Sequence, residues 1–178
     1  DTNGMPFDFK AMTQGRPTYL YFGYTNCPDE CPTAMADLAA ALRKADRSDR
    51  EKAIVVLVTT DPDRDTATKL RVFLDQFSTD FVGLRGTQAE VDGAQKAARV
   101  DVAKREGPLP TISGNPSKHP HKPGTAPHTH SGPLGYGVGH INLILAYDVN
   151  DKLPVAYPGG VKPSEIAEDL KLLLTSTR

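Results

Sequence analysis

Two cysteines four residues apart, in Cys27-Pro28-Asp29-Glu30-Cys31, are the only cysteines of this 178-residue chain and carry its clearest chemical signal. At the start of a helix, residues i and i+4 share one face, so both sulfurs can converge on one small centre. The helix N-terminus also favours thiolate over thiol. Thiolates bind soft metals and attack disulfides. The plainer alternative is a local disulfide or a pair of buried thiols. It is weakened because a bridge closing so short a loop constrains the unfolded chain little.

A structural zinc site in a small domain uses two cysteine pairs, or a cysteine pair with a spaced histidine pair, and here there is one thiol pair. Two thiolates joined by one imidazole would instead suit copper, because thiolate favours Cu(I) while imidazole accepts Cu(I) and Cu(II). The candidate imidazole is His140, set between Gly139 and the apolar run Ile141-Asn142-Leu143. A lone histidine beside an apolar strand is commonly structural, and the cysteine pair raises the ligand reading. The other four histidines, His119, His121, His128 and His130, form two His-x-His pairs. They could bind copper weakly as auxiliary ligands, with an ordering cost for a flexible segment, or serve only as a solvated linker.

The elements that must position these residues follow from periodicity. Thr18 to Tyr24 is rich in β-branched and aromatic residues and predicts a buried strand that ends just before the cysteines. From Cys31 the pattern turns helical, with Met35, Leu38, Ala39 and Leu42 on one face and Arg43 and Lys44 near the C-terminal end of the macrodipole. Pro28 and Pro32 are tolerated there because first-turn N–H groups have no intrahelical partner. Ala53 to Thr59 is a continuous apolar run, as expected of a parallel strand covered on both faces. The turn Asp61-Pro62 follows it, then a helix from Asp65 with Leu70, Phe73, Leu74 and Phe77 as its stripe. Further expectations are a strand over Phe81 to Leu84, a helix over 88–98 and a strand over Val100 to Ala103. A hairpin is expected to join Ile141 to Tyr147 with Leu153 to Tyr157 through Asn150-Asp151, before a closing helix over Lys162 to Thr175. Alternating strands and helices imply an α/β fold, a mixed sheet flanked by helices. Residues 107–139 hold 7 Gly and 7 Pro, against 16 such residues in the other 145, which predicts a long flexible His/Pro/Gly-rich loop without regular structure.

Composition narrows the function classes. With 38% hydrophobic and 24% charged residues and a net charge of -1, the chain reads as one globular domain over 1–178. The balance gives no electrostatic footprint for nucleic acid. No segment reaches the ~20 apolar residues that span a bilayer. The opening Asp1-Thr2-Asn3-Gly4 reads as a processed product that a signal or membrane anchor could have preceded. No P-loop, dinucleotide fingerprint, hydrolase elbow or HExxH occurs.

Three segments together resemble the Sco/SenC family of copper-binding proteins. They are YFGYTNCPDECP from Tyr21 to Pro32, DPDRDT from Asp61 to Thr66, and VGLRGT from Val82 to Thr87. The resemblance implies a thioredoxin-like domain and a copper site of Cys27, Cys31 and His140 taking Cu(I) or Cu(II). Asp61 and Asp65 are then candidates to support the site from behind, although an Asp-Pro turn with a helix cap accounts for them by chemistry alone. The implied function is that of a copper metallochaperone, a binding protein rather than an enzyme. It would receive copper from a donor protein and help assemble the copper A centre on its subunit of cytochrome c oxidase. The implied setting is extracytoplasmic, as a monomer tethered to the membrane by an N-terminal segment not present here. The family commonly has an acidic residue before the ligand histidine and a hydroxyl residue after it, where this chain has Gly139 and Ile141. The competing reading is a thiol-disulfide oxidoreductase acting on cysteines of the oxidase subunit or of another extracytoplasmic protein, which needs both thiols but not His140. The usual redox spacing is CxxC, one residue shorter. A thiol peroxidase would resemble PxxxTxxC, and Thr25 lies one residue too close to Cys27.

Overall fold

A computed structural model describes residues 1–106 and 137–176. Along the chain it runs α1 (Phe9–Thr13), β1 (Thr18–Gly23), α2 (Glu30–Lys44), α3 (Arg47–Arg50), β2 (Ile54–Thr59), α4 (Ala67–Asp75), β3 (Val82–Leu84) and α5 (Gln88–Ala97). It continues with β4 (Lys104–Glu106), β5 (Gly137–Gly139), β6 (Leu143–Tyr147), β7 (Val155–Pro158) and α6 (Pro163–Thr175). Five strands form one sheet in the order β3-β2-β1-β6-β7, and β4 pairs with β5 separately. β1 is parallel to β2 and antiparallel to β6, so the sheet is mixed as expected.

Every residue of β1 and β2 is buried, which is why both read as unbroken apolar runs. Alternation along β1 divides the core between the two sheet faces. Tyr19 and Tyr21 pack with Met35 and Leu38 of α2, Leu70 and Leu74 of α4, and Ile166 and Leu170 of α6. Leu20 and Phe22 face the other way, onto Val56, Val58 and Val91, with Phe9 of α1 against them. Helices therefore cover both faces, the thioredoxin-like arrangement that the family resemblance implies.

Several boundaries differ from the sequence expectation for local reasons. The helix expected from Asp65 begins at Ala67, because Thr66 caps it by accepting the Lys69 N–H while the Asp65 carboxylate turns inward. No strand forms over 100–103. Arg99 has φ of 59°, and the Gln95 side chain takes the Ala103 N–H at 3.3 Å and donates to the Asp101 carbonyl at 3.2 Å. These backbone groups are thereby drawn away from a ladder, and the strand begins at Lys104. The expected structureless stretch 107–139 is corrected at its end, where Gly137–Gly139 pairs antiparallel with β4. The hairpin forms, with Asp151 at φ of 59° in its turn and the Asp148 carboxylate accepting the N–H groups of Asn150 and Lys152.

Candidate metal centre

Parallel strands β1 and β2 end side by side, where the Thr60 N–H donates to the Gly23 carbonyl at 2.7 Å. The chain beyond β1 carries Cys27 and then enters α2, and the carboxyl ends of parallel strands are where such sheets place their sites. Cys31 is the second residue of α2, whereas Cys27 precedes the Asp29 N-cap. The two cysteines are thus not on one face of a helical turn. They meet because the Cys31 N–H, a first-turn donor without an intrahelical acceptor, points to Cys27 Sγ at 3.3 Å.

Gly23 lets the second sulfur close in. A Cβ at this position would fall 2.7 Å from Cys31 Sγ and 2.7 Å from Tyr21 Cε1. Both cysteines are free thiols. His140 lies just past β5 and brings Nε2 to 3.5 Å from Cys31 Sγ and 3.9 Å from Cys27 Sγ. All three residues are buried, and their ligand atoms lie within 4.8 Å of one another. Two sulfurs and one imidazole nitrogen facing a common point could hold one soft ion.

The thiols are unlike each other. The hydrogen bond from Cys31 is the largest influence on Cys27. Against the opposing effect of burial, and with help from His140 and the N–H groups of Cys31 and Asp29, it brings Cys27 down to about 4. Burial pushes Cys31 well above the ordinary thiol range, and its hydrogen bond to Cys27 adds to this. These surroundings favour the thiolate on Cys27 and the thiol on Cys31, the arrangement of a primed nucleophile or a half-prepared ligand set.

The two aspartates stand behind this centre. Asp65 is fully buried, and its carboxylate accepts the Thr25 N–H at 2.9 Å, the Thr25 hydroxyl at 2.5 Å and the Thr59 hydroxyl at 2.6 Å. Asp61, also fully buried, pairs with Arg64, whose guanidinium carbon lies 5.7 Å from the centre of the Tyr24 ring. Arg85 and Arg105 tie down the same turn, Arg85 through the carbonyls of Pro62 and Asp65 and Arg105 through the Asp63 carboxylate. The sequence assigns no role at the site to Tyr21, Tyr24, Arg64 and Asn142, and Thr25 enters it only through the thiol-peroxidase spacing. The tyrosines read as strand residues, and no spacing rule connects Asn142 with β1. His119, His121, His128 and His130 lie outside the described residues.

"Protein SCO1 homolog 1, mitochondrial" of Arabidopsis thaliana is 35% identical over 103 residues, 56% of this chain and 31% of its own length. The chain spans about half or less of the curated relatives it matches. The structure of Bradyrhizobium japonicum ScoI with copper bound superposes with a TM-score of 0.73 at 30% identity, covering 98% of this chain and 94% of that one. BsSco, described as a member of the Sco family of cytochrome c oxidase assembly proteins with a disulfide switch, shares the fold at a TM-score of 0.63 and 18% identity, covering 99% of this chain and 90% of its own. The family model described as SCO1/SenC matches residues 1–175, and with that match the chain belongs to the SCO1/SenC family.

Proposed function

We propose that this protein is a copper metallochaperone, binding Cu(I) and Cu(II) through Cys27 Sγ, Cys31 Sγ and His140 Nε2 and passing the ion to the copper A-bearing subunit of cytochrome c oxidase. The observation that carries this reading is the convergence of three buried donors within 4.8 Å. Two sulfurs give the softness that Cu(I) prefers and the imidazole accepts either oxidation state. The copper-bound relative and the assembly role named for BsSco support the choice of ion and of recipient. Copper is the cargo. The chain's own task is to keep the thiols reduced, hold the imidazole beside them and release the ion by exchange of ligands with a partner. An upstream protein donor loads the site. We place the working protein outside the cytoplasm as a tethered single-domain monomer. No helix among the described residues is long and apolar enough to cross a membrane.

A second reading, thiol-disulfide exchange, is favoured by the unequal thiols. The Cys27 thiolate attacks a target disulfide, forming a mixed disulfide and expelling one target thiolate. Cys31 then loses its proton and displaces the second. The products are a Cys27–Cys31 disulfide and a reduced target dithiol. An incubation of copper-loaded protein with a soluble copper A domain tests between the readings. Metallation, seen as the copper A absorption spectrum, is expected with the wild type and lost in Cys27→Ser. Reduction of the target disulfide without metal transfer would replace the chaperone reading by the second.

A further inference from the structure

His140 continues β5 by a single bridging residue, next to the Lys104–Gly139 pair. β5 has three residues, β6 begins at Leu143, and the residue before His140 is Gly139. Its Nδ1 faces the carbonyl of the adjacent Ile141 at 3.3 Å. Histidine ligands are commonly oriented through the second ring nitrogen. A partner one residue away can set the tilt of the ring, but it cannot fix the chain's position relative to the cysteines.

Alongside the β4–β5 pairing, two tyrosines at the end of β1 set that position. The Tyr21 hydroxyl donates to Asn142 Oδ1 at 3.0 Å, two residues after His140. The Tyr24 hydroxyl accepts the backbone N–H of Val138, two residues before it. Both rings present an edge-type contact to the imidazole, with centroids 6.2 Å away for Tyr21 and 5.6 Å for Tyr24, at interplanar angles of 77° and 83°. Both tyrosines are fully buried, so their hydroxyls meet protein partners rather than solvent, and the Tyr21 hydroxyl also lies 3.9 Å from Cys31 Sγ. The supports are themselves fixed. Arg64, paired with Asp61, lies over the Tyr24 ring, and the Asn142 amide occupies the space that a Cβ at Gly159 would take.

We infer that Tyr21 and Tyr24 are positioning residues that hold the chain on either side of His140, so that its imidazole faces both sulfurs before an ion arrives. The inference rests on the three-ligand reading above. It also explains how this chain manages with glycine before the histidine: the fixed points come from the neighbouring strand end instead of the adjacent residue.

The test uses Tyr21→Phe and Tyr24→Phe, singly and together, which keep the rings and remove the hydroxyls. In the reduced, metal-free protein the His140 imidazole NMR resonances are expected to shift and broaden while the amide spectrum stays that of the folded chain. Unchanged imidazole resonances in the double variant would overturn the inference. With Cu(II) as probe, affinity should fall by about tenfold or more in the double variant. Tyr24→Phe made on His140→Ala should change affinity by less than about twofold, because its coupling runs through that ring, whereas Tyr21 also reaches Cys31 Sγ at 3.9 Å and is left out of this comparison. Equal losses in both backgrounds would mark a general effect on the fold and overturn the assignment. If His140→Ala alone keeps wild-type Cu(II) affinity, the three-ligand reading fails, and the metal-free resonances still decide whether the tyrosines hold the ring.

Discussion

Asp65 and Thr25, forty residues apart, are joined twice: the backbone N–H and the hydroxyl of Thr25 both donate to the Asp65 carboxylate. Thr25 is two residues before Cys27, so a buried carboxylate in the turn between β2 and α4 fixes the approach to the first sulfur. Replacing Asp65 by Ala leaves the Thr25 N–H and the hydroxyls of Thr25 and Thr59 without their acceptor. A loss of about 3 kcal/mol is expected from such unsatisfied buried donors. Urea unfolding of the reduced protein measures it, and a loss below about 0.5 kcal/mol, the range of an ordinary surface substitution, would contradict this role.

Gly23→Ala tests how closely the sulfur packs on the strand. The added methyl meets Cys31 Sγ and Tyr21 Cε1 at 2.7 Å, and both belong to the buried core. Overpacking of this kind costs about 1–3 kcal/mol. Copper affinity should fall along with stability, because the atom displaced is a proposed ligand. A variant with wild-type stability and affinity would show that the sulfur has room to move.

The unequal thiols give a pH signature in reduced, metal-free protein. Cys27 is lowered, so its contribution to stability is present above the unfolded thiol pKa and is lost as pH falls through about 4. Cys31 is raised, so its contribution is full below the unfolded thiol pKa and declines as pH rises from there towards the higher folded value. Ultraviolet thiolate absorbance should show one thiolate at neutral pH that disappears only in acid, and a second that appears only above the ordinary thiol range. Two thiols titrating together near the ordinary value would contradict the asymmetry.

Deleting residues 115–132 should leave tight copper binding nearly intact. The longer stretch 107–136 that contains it is bounded by β4 and β5, which pair with each other. Loop-closure entropy changes slowly with length. Copper titration and thermal unfolding of the deletion variant check this, and loss of tight binding would move the site into the histidine-rich segment.

The sequence was legible wherever one periodicity or one chemistry dominated. β1 and β2 read as apolar runs because both their faces are covered. Cys27, Cys31 and His140 stood out by donor type, and the structure brings them together. What escaped were features made by side chains reaching across the fold. Asp65 reads as a helix start, yet its carboxylate serves Thr25 and Thr59. Gln95 reads as a helix residue, yet it takes the backbone groups that would have made 100–103 a strand. The short helices α1 and α3, of 5 and 4 residues, are too brief to show a repeating stripe. Tyr21 and Tyr24 looked like strand filling because burial and orientation of a neighbouring ligand draw on the same residue type.

Competition titration of copper in both oxidation states into reduced protein, comparing wild type with His140→Ala, tests the three-donor site most directly. The account predicts one tight equivalent in the wild type, with His140→Ala weakening it and altering the Cu(II) spectrum, and no tight site in Cys27→Ala or Cys31→Ala. Wild-type Cu(II) affinity and spectrum in His140→Ala would contradict the account and leave the dithiol alone as the working unit.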